Sequence, residues 1–157
     1  MNKNEKIGIG KNIKNFNLKD QDEQSFNLSE KKGKKILLSF HPLAWTPICN
    51  DQMQLLEKNQ ETFEKLNTIA VGISIDSSYS KKAWANSLNI INTRLLSDFW
   101  PHGMVAEIFG IFRENDGFSE RANIILDEEQ KVLYAKVYDI GTLPDFEEII
   151  EVLKQME

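Results

Sequence analysis

The amino-acid sequence predicts one α/β domain, a central mixed β-sheet covered by helices on its faces, with a β-hairpin ahead of it. Three observations lead there. The chain has 157 residues of which 41% are hydrophobic, enough for one core and too few for two, so residues 1–157 are taken as a single domain. Two continuous apolar runs, 35–40 and 68–75, have the composition of strands buried on both faces. Between and after them, apolar residues recur at helical spacing, and strands joined through helices become parallel neighbours.

Taken in order, the first six residues are polar and run into no apolar core of a secretory signal, so the chain is expected to stay in the cytoplasm. Phe16-Asn17-Leu18 and Ser25-Phe26-Asn27-Leu28 alternate in polarity across the turn Asp20-Gln21-Asp22-Glu23, a short hairpin. The lysine-rich stretch 30–35 precedes the first buried strand and reads as a solvated turn. That strand, 35–40, ends at His41-Pro42. Met53, Leu56, Phe63 and Leu66 place one amphipathic helix over 50–66. A second buried strand spans 68–75, and a helix over 80–88 presents Ala83, Trp84 and Leu88. A short strand at 95–98 follows, then a helix over 102–109 stopped by Gly110. Segments 121–126 and 131–137 flank the turn 127–130 as an antiparallel pair, and Phe146, Ile149, Ile150 and Leu153 mark a last helix over 144–153 with Pro144 in its first turn. This layout is compatible with a thioredoxin-like sandwich bearing an N-terminal hairpin extension.

Composition excludes several classes of function. A formal charge of −5 gives no footprint for a phosphate backbone, so nucleic acid is not an expected partner. No run approaches the ~18 apolar residues of a membrane span. One cysteine and two histidines make no zinc set, and no metal or cofactor is expected. Gly8-Ile9-Gly10 lacks the third glycine and the preceding strand of a dinucleotide fingerprint. Without a Cys-x-x-Cys pair, disulfide exchange of the thioredoxin kind is not expected either.

The single cysteine is therefore either inert packing or the centre of the chemistry. Cys49 lies between the end of a buried strand and the start of a long helix, where open α/β sheets gather ligands and catalytic groups. In a first turn it faces unpaired N–H groups and the positive end of the helix dipole, which favour a thiolate. Thr46, three residues earlier, shares its face and can donate to the sulfur or to whatever attacks it. Pro42 has no N–H and can shape the rim without competing for hydrogen bonds. His41 is a candidate contact for the sulfur. Trp45, Phe99 and Trp100 are candidate walls for an apolar substrate, with core or dimer packing as the alternative. Of the three arginines, Arg94 and Arg113 read as surface ion-pair residues.

Pro42-x-x-x-Thr46-x-x-Cys49, set directly after a strand and opening a helix, resembles the active-site motif of the peroxiredoxins. The likeness extends over nearly the whole chain, through 10–20, Ser97-Asp98-Phe99-Trp100-Pro101-His102-Gly103 and the strand Arg121-Ala122-Asn123-Ile124-Ile125-Leu126-Asp127. Within that family, Pro42-Leu43-Ala44 and 97–103 look most like the one-cysteine alkyl hydroperoxide reductase E subgroup, while His41-Pro42 is similar to another one-cysteine branch. The resemblance implies a thiol-dependent peroxidase acting on hydrogen peroxide and organic hydroperoxides. Cys49 is then the attacking thiolate, which becomes a sulfenic acid, and Thr46, Pro42 and Arg121 are its catalytic companions. It further implies a homodimer and, because no second cysteine exists, a resolving thiol from outside: thioredoxin, glutaredoxin or a low-molecular-weight thiol. A redox-responsive sensor or holdase switched by oxidation of the same cysteine is the competing reading. The chain departs from the family pattern in four places. Lys14 replaces a hairpin proline, Gln52 replaces an acid three residues after Cys49, and Glu23 and Gln130 occupy turns that often hold glycine. Gln52 can still hydrogen-bond around the active-site arginine but adds no negative charge.

Overall fold

The structure, a computed structural model, describes residues 7–156. Nine strands run in chain order: β1 (Asn17–Lys19), β2 (Ser25–Asn27), β3 (Lys35–Phe40), β4 (Thr68–Ser74), β5 (Arg94–Ser97), β6 (Phe112–Arg113), β7 (Phe118–Ser119), β8 (Arg121–Leu126) and β9 (Val132–Tyr138). Five α-helices accompany them: α1 (Pro47–Lys58), α2 (Gln60–Lys65), α3 (Ser78–Leu88), α4 (Met104–Ile108) and α5 (Phe146–Gln155). Seven strands form one sheet in the order β2-β1-β5-β4-β3-β8-β9, with β6 and β7 a separate hairpin. The β5-β4-β3 core is parallel, and β8 lies antiparallel to both β3 and β9, so the sheet is mixed as its sequence predicts.

Several expected elements are corrected. The helix over 50–66 is two helices: Asn59 leaves helical geometry, and its side-chain amide bonds the carbonyl of Leu55 at 2.8 Å, satisfying an end group in the middle of the apolar period. The helix over 102–109 begins only at Met104, because Gly103 before it takes φ 73°. The last helix starts at Phe146, capped by Asp145, whose carboxylate accepts from the Glu147 N–H at 3.0 Å; Pro144 stands outside it. On α3 the buried residues are Lys81, Trp84 and Ala85, while Ala83 is exposed.

Alternation along the central strands sorts residues onto two faces. Ile36, Leu38 and Phe40 of β3, Val71 and Ile73 of β4, and Ala122, Ile124 and Leu126 of β8 join one apolar cluster with Phe16, Phe26 and Phe109. The opposite face carries Leu37, Ala70, Leu95 and Ile125 under α1, α3 and α5. There the sheet is thinned for α1: a Cβ on Gly72 would collide with Met53 Sδ. Toward the carboxyl end of β3, this face changes character. Ser39 pairs in register with Asn123, His41 extends the strand by donating its N–H to Ile73 at 3.0 Å, and Arg121 opens β8. Glu23 and Gln130 hold φ of 62° and 70°, the left-handed region that glycine adopts more easily.

Candidate active site

Pro47 occupies the first turn of α1, and Thr46 precedes it in extended conformation as the N-cap, which places Cys49 in that same first turn. The sulfur thus faces backbone N–H groups that have no intrahelical acceptor. The loop leading in is tied down on both sides. The Ala44 N–H donates to Asp76 Oδ2 at 2.9 Å, a carboxylate that also accepts from Ser74 Oγ at 2.6 Å. Trp45 turns the chain with φ 77° and donates its indole N–H to Ser80 Oγ at 3.0 Å. Pro42 is buried at the end of β3.

Cys49 itself is 0% exposed. Across the sheet, Arg121 is 3% exposed and places Nη1 3.4 Å from Cys49 Sγ. The guanidinium is oriented by neutral partners: Nη1 donates to Gln52 Oε1 at 2.7 Å, and Nε and Nη2 both donate to the Ile140 carbonyl, at 3.0 and 2.9 Å. Gln52 is oriented in turn, donating to Ser39 Oγ at 2.8 Å and the Phe40 carbonyl at 3.2 Å. The result is a forked cation fixed against a sulfur from one side, with the helix N-terminus on the other. The Thr46 hydroxyl donates to the Leu43 carbonyl at 2.8 Å, so its proton is directed there and its lone pairs remain to accept.

A second buried group of polar side chains adjoins the first. His41 Nδ1 lies 3.3 Å from the Ser39 carbonyl and Nε2 lies 3.3 Å from Lys81 Nζ; both residues are 0% exposed. Burial, with the charges of Lys81 and Arg121 nearby, holds His41 well below the usual imidazole range. A neutral ring then donates from Nδ1 to Ser39 and accepts at Nε2 from Lys81. Burial likewise pulls Lys81 down to about 7, against the opposing pull of Asp76, Cys49 and Asp98. Trp84 closes this group, its ring 5.2 Å from His41 and its indole N–H 2.6 Å from Oδ1 of Asn50, the neighbour of Cys49.

The structure therefore brings Arg121 into direct contact with both Cys49 and Gln52 and sets Thr46 at the N-cap of the helix that carries them. The polar contacts of His41 go to Ser39 and Lys81 instead of the sulfur. Phe99 and Trp100, 51% and 80% exposed, line a surface cavity of about 440 Å³ with Tyr79 and the β1 strand, a lining that contains neither Cys49 nor Arg121. Arg113 pairs with Asp116 at the surface as expected, whereas Arg94 is only partly exposed and pairs with Asp20, a buried carboxylate. Lys81 is the residue a reading of the sequence passes over, since a lysine on an amphipathic helix reads as solvated. Its signal is its place three and four residues before the inward-facing Trp84 and Ala85. Among the described residues no three His, Cys, Asp or Glu side chains form a metal-binding group.

Comparison with known proteins places this geometry in context. The model of the AhpC/TSA family matches residues 9–135. The chain is 33% identical over 140 residues to alkyl hydroperoxide reductase E of Mycobacterium tuberculosis, covering 88% of this chain and 91% of that one. It is 31% identical over 149 residues to a thiol peroxidase of Streptococcus agalactiae, covering 94% and 89%. Among solved structures, Enterococcus faecalis AhpC superposes with a TM-score of 0.87 at 24% identity over 94% of this chain and 91% of that one. Peroxidoxin BcpB of Mycobacterium tuberculosis superposes at 0.82 and 24% identity, over 95% and 97%.

Proposed function

The chain belongs to the AhpC/TSA family, the peroxiredoxins, and from that premise we propose that Cys49 is the attacking thiol of a peroxidase that reduces hydrogen peroxide and organic hydroperoxides. The observation that carries this reading is the 3.4 Å contact between Arg121 Nη1 and Cys49 Sγ at the first turn of α1. In the first half-reaction the thiolate attacks one peroxide oxygen, the S–O bond forms as the O–O bond breaks, and the departing alkoxide takes up a proton. Sulfur is oxidised to the sulfenic acid and the second oxygen leaves as an alcohol or water. Arg121 and the N–H groups at the start of α1 stabilise charge on the separating oxygens, while Thr46 accepts the peroxide O–H. Pro42 keeps water and competing donors from the rim.

Sulfenic acid must then be reduced by a thiol from another molecule, because the chain has one cysteine. Thioredoxin, glutaredoxin and a small thiol all have the chemistry required. The exposed aromatics Trp45, Phe99 and Trp100 on loops and Tyr79 in the first turn of α3 suit a homodimer contact. No helix of the described residues is long and apolar enough to cross a membrane, and a peroxidase dependent on reducing thiols suits the cytoplasm. The test is stopped-flow oxidation by hydrogen peroxide and by a bulky hydroperoxide, followed by steady-state turnover with each reductant. Multiple turnovers that vanish in Cys49→Ser are expected; turnover retained in that variant overturns the assignment. A single oxidation that no thiol reverses, accompanied by a change in oligomer size, favours the sensor instead.

A further inference from the structure

Ser39 and Asn123 stand opposite each other in the β3–β8 register, on the face that carries Arg121, and both are wholly buried. Among the described residues, Asn123 Oδ1 is the one buried side-chain polar atom without a hydrogen-bond partner. An amide oxygen shut away from water costs free energy unless a donor reaches it. The other end of the same amide is occupied, since Nδ2 donates to the Tyr138 hydroxyl at 3.3 Å.

The opposed residue has a proton to give, and its direction follows from the sulfur outward. Arg121 only donates, so the 2.7 Å bond from Nη1 ends on Gln52 Oε1. That turns Gln52 Nε2 toward Ser39 Oγ at 2.8 Å and the Phe40 carbonyl at 3.2 Å. Ser39 is an acceptor in this bond, and its own proton is left to point away from Gln52. Opposed Cβ atoms in an antiparallel pair lie about 4.5–5.5 Å apart, a span that a small side-chain rotation or one bridging water closes.

We propose that Ser39 and Asn123 are positioning residues for Arg121: Ser39 gives its proton to Asn123 Oδ1, directly or through one water, and this keeps Gln52 Oε1 on the guanidinium that meets Cys49. The proposal rests on Cys49 being the attacking thiol. Every donor then runs outward from the sulfur, Arg121 to Gln52, Gln52 to Ser39, Ser39 to Asn123 and Asn123 to Tyr138, and hydrogen bonds aligned in one sense strengthen one another. Without the Asn123 oxygen, the Ser39 proton turns back on the Gln52 amide and meets another donor. Gln52 then loosens its hold on Nη1, and the fork keeps only the Ile140 carbonyl. The same relay accounts for an amide at position 52, which accepts from Arg121 with one atom and donates to Ser39 with the other, as a carboxylate cannot.

The experiment measures Cys49 oxidation by hydrogen peroxide in stopped flow on the full chain, with folding checked by urea titration. Ser39→Ala and Asn123→Leu are each expected to slow oxidation by about tenfold, less than loss of the fork itself. The double variant is expected to be no slower than the slower single variant, because both act through one bond. In an Arg121→Lys background neither substitution is expected to slow the reaction further, whereas a merely structural defect adds in either background. Ser39→Thr, which keeps the hydroxyl, is expected to recover most of the loss seen in Ser39→Ala. Asn123→Val supplies a second apolar variant if leucine does not fold. A wild-type rate in the apolar Asn123 variant, or a loss that persists undiminished in the Arg121→Lys background, overturns the proposal. A wild-type protein whose Cys49 does not react with peroxide overturns the peroxidase reading itself, a different result.

Discussion

On one face of the β3–β8 pair stand Ile36, Leu38, Phe40, Ala122, Ile124 and Leu126; on the other stand Leu37, Ser39, Arg121, Asn123 and Ile125, all eleven buried. The first face is apolar throughout and meets Phe109, whose ring packs edge-on to Phe40 at 5.7 Å. The second carries a hydroxyl, a guanidinium and an amide, all buried, and the guanidinium meets Cys49. Such groups cost free energy unless paired, and here nearly all are: Ser39 by Gln52, Arg121 by Ile140, and Asn123 Nδ2 by the Tyr138 hydroxyl at 3.3 Å. Asn123 Oδ1 has no partner. The two faces of one strand pair thus divide the work, one holding the sheet together and the other fixing the guanidinium that meets Cys49.

Substitutions separate the two. Phe40→Ala on the packing face is expected to lower unfolding stability by about 3–5 kcal/mol, read by urea titration, while the peroxide rate constant of the folded fraction is unchanged. Arg121→Lys on the reactive face keeps the charge but loses the fork that reaches Ile140, Gln52 and the sulfur together. It is expected to slow Cys49 oxidation by about 10²-fold, or ~2.7 kcal/mol, in stopped flow. Equal rates in the two proteins contradict that role.

Acid–base behaviour sharpens the contrast further. Lys81 is lowered from 10.5 to about 7, so between those values the unfolded chain holds a proton that the folded chain has shed, and unfolding free energy rises with pH through that window. His41, lowered from 6.5, acts with the same sign: stability falls as pH drops below 6.5. Asp98, raised from 3.8 to about 6, acts oppositely between those values. Unfolding free energy measured in urea is expected to climb from pH 7 to 9 in the wild type, by no more than ~1.4 kcal/mol per pH unit, and to stay flat in Lys81→Met. The smallest effect belongs to Gln130→Gly in the β8–β9 turn. Relief of the left-handed φ offsets the lost hydrogen bond from Gln130 Nε2 to the Leu28 carbonyl, so thermal unfolding should change by less than ~1 kcal/mol.

The sheet was legible in the sequence because its central strands are unbroken apolar runs, and the loop before Cys49 was legible because proline, threonine and cysteine sit at fixed offsets. The break at Asn59 was hidden, since Leu56 and Phe63 keep helical spacing across it and the interruption is made by one amide. The β6–β7 hairpin escaped because two-residue strands carry no period. The buried lysine of α3 escaped for another reason. Charge argues for solvent in any local reading, and only the packing of α3 against the sheet beside β5 overrides it. The face carrying Leu37, Ser39, His41 and Arg121, Asn123, Ile125 was written as a period of two, apolar inside and polar toward one end, but its meaning depends on β8 lying beside β3.

In the role proposed for Cys49, its complete burial bears on the second half of the catalytic cycle more than the first. Hydrogen peroxide is small enough to enter through side-chain fluctuation. A thiol carried by another protein must bring its sulfur within ~2 Å of Cys49 Sγ to form the mixed disulfide. The loop leading into α1, tethered from Ala44 to Asp76 and from Trp45 to Ser80, and the first turn that follows it have to open before that approach. Recycling by a protein reductant therefore inherits the opening equilibrium of this turn. The rigidity that prepares the sulfur for attack is the same quantity that slows its recovery, and amide exchange at 44–50 measures it directly.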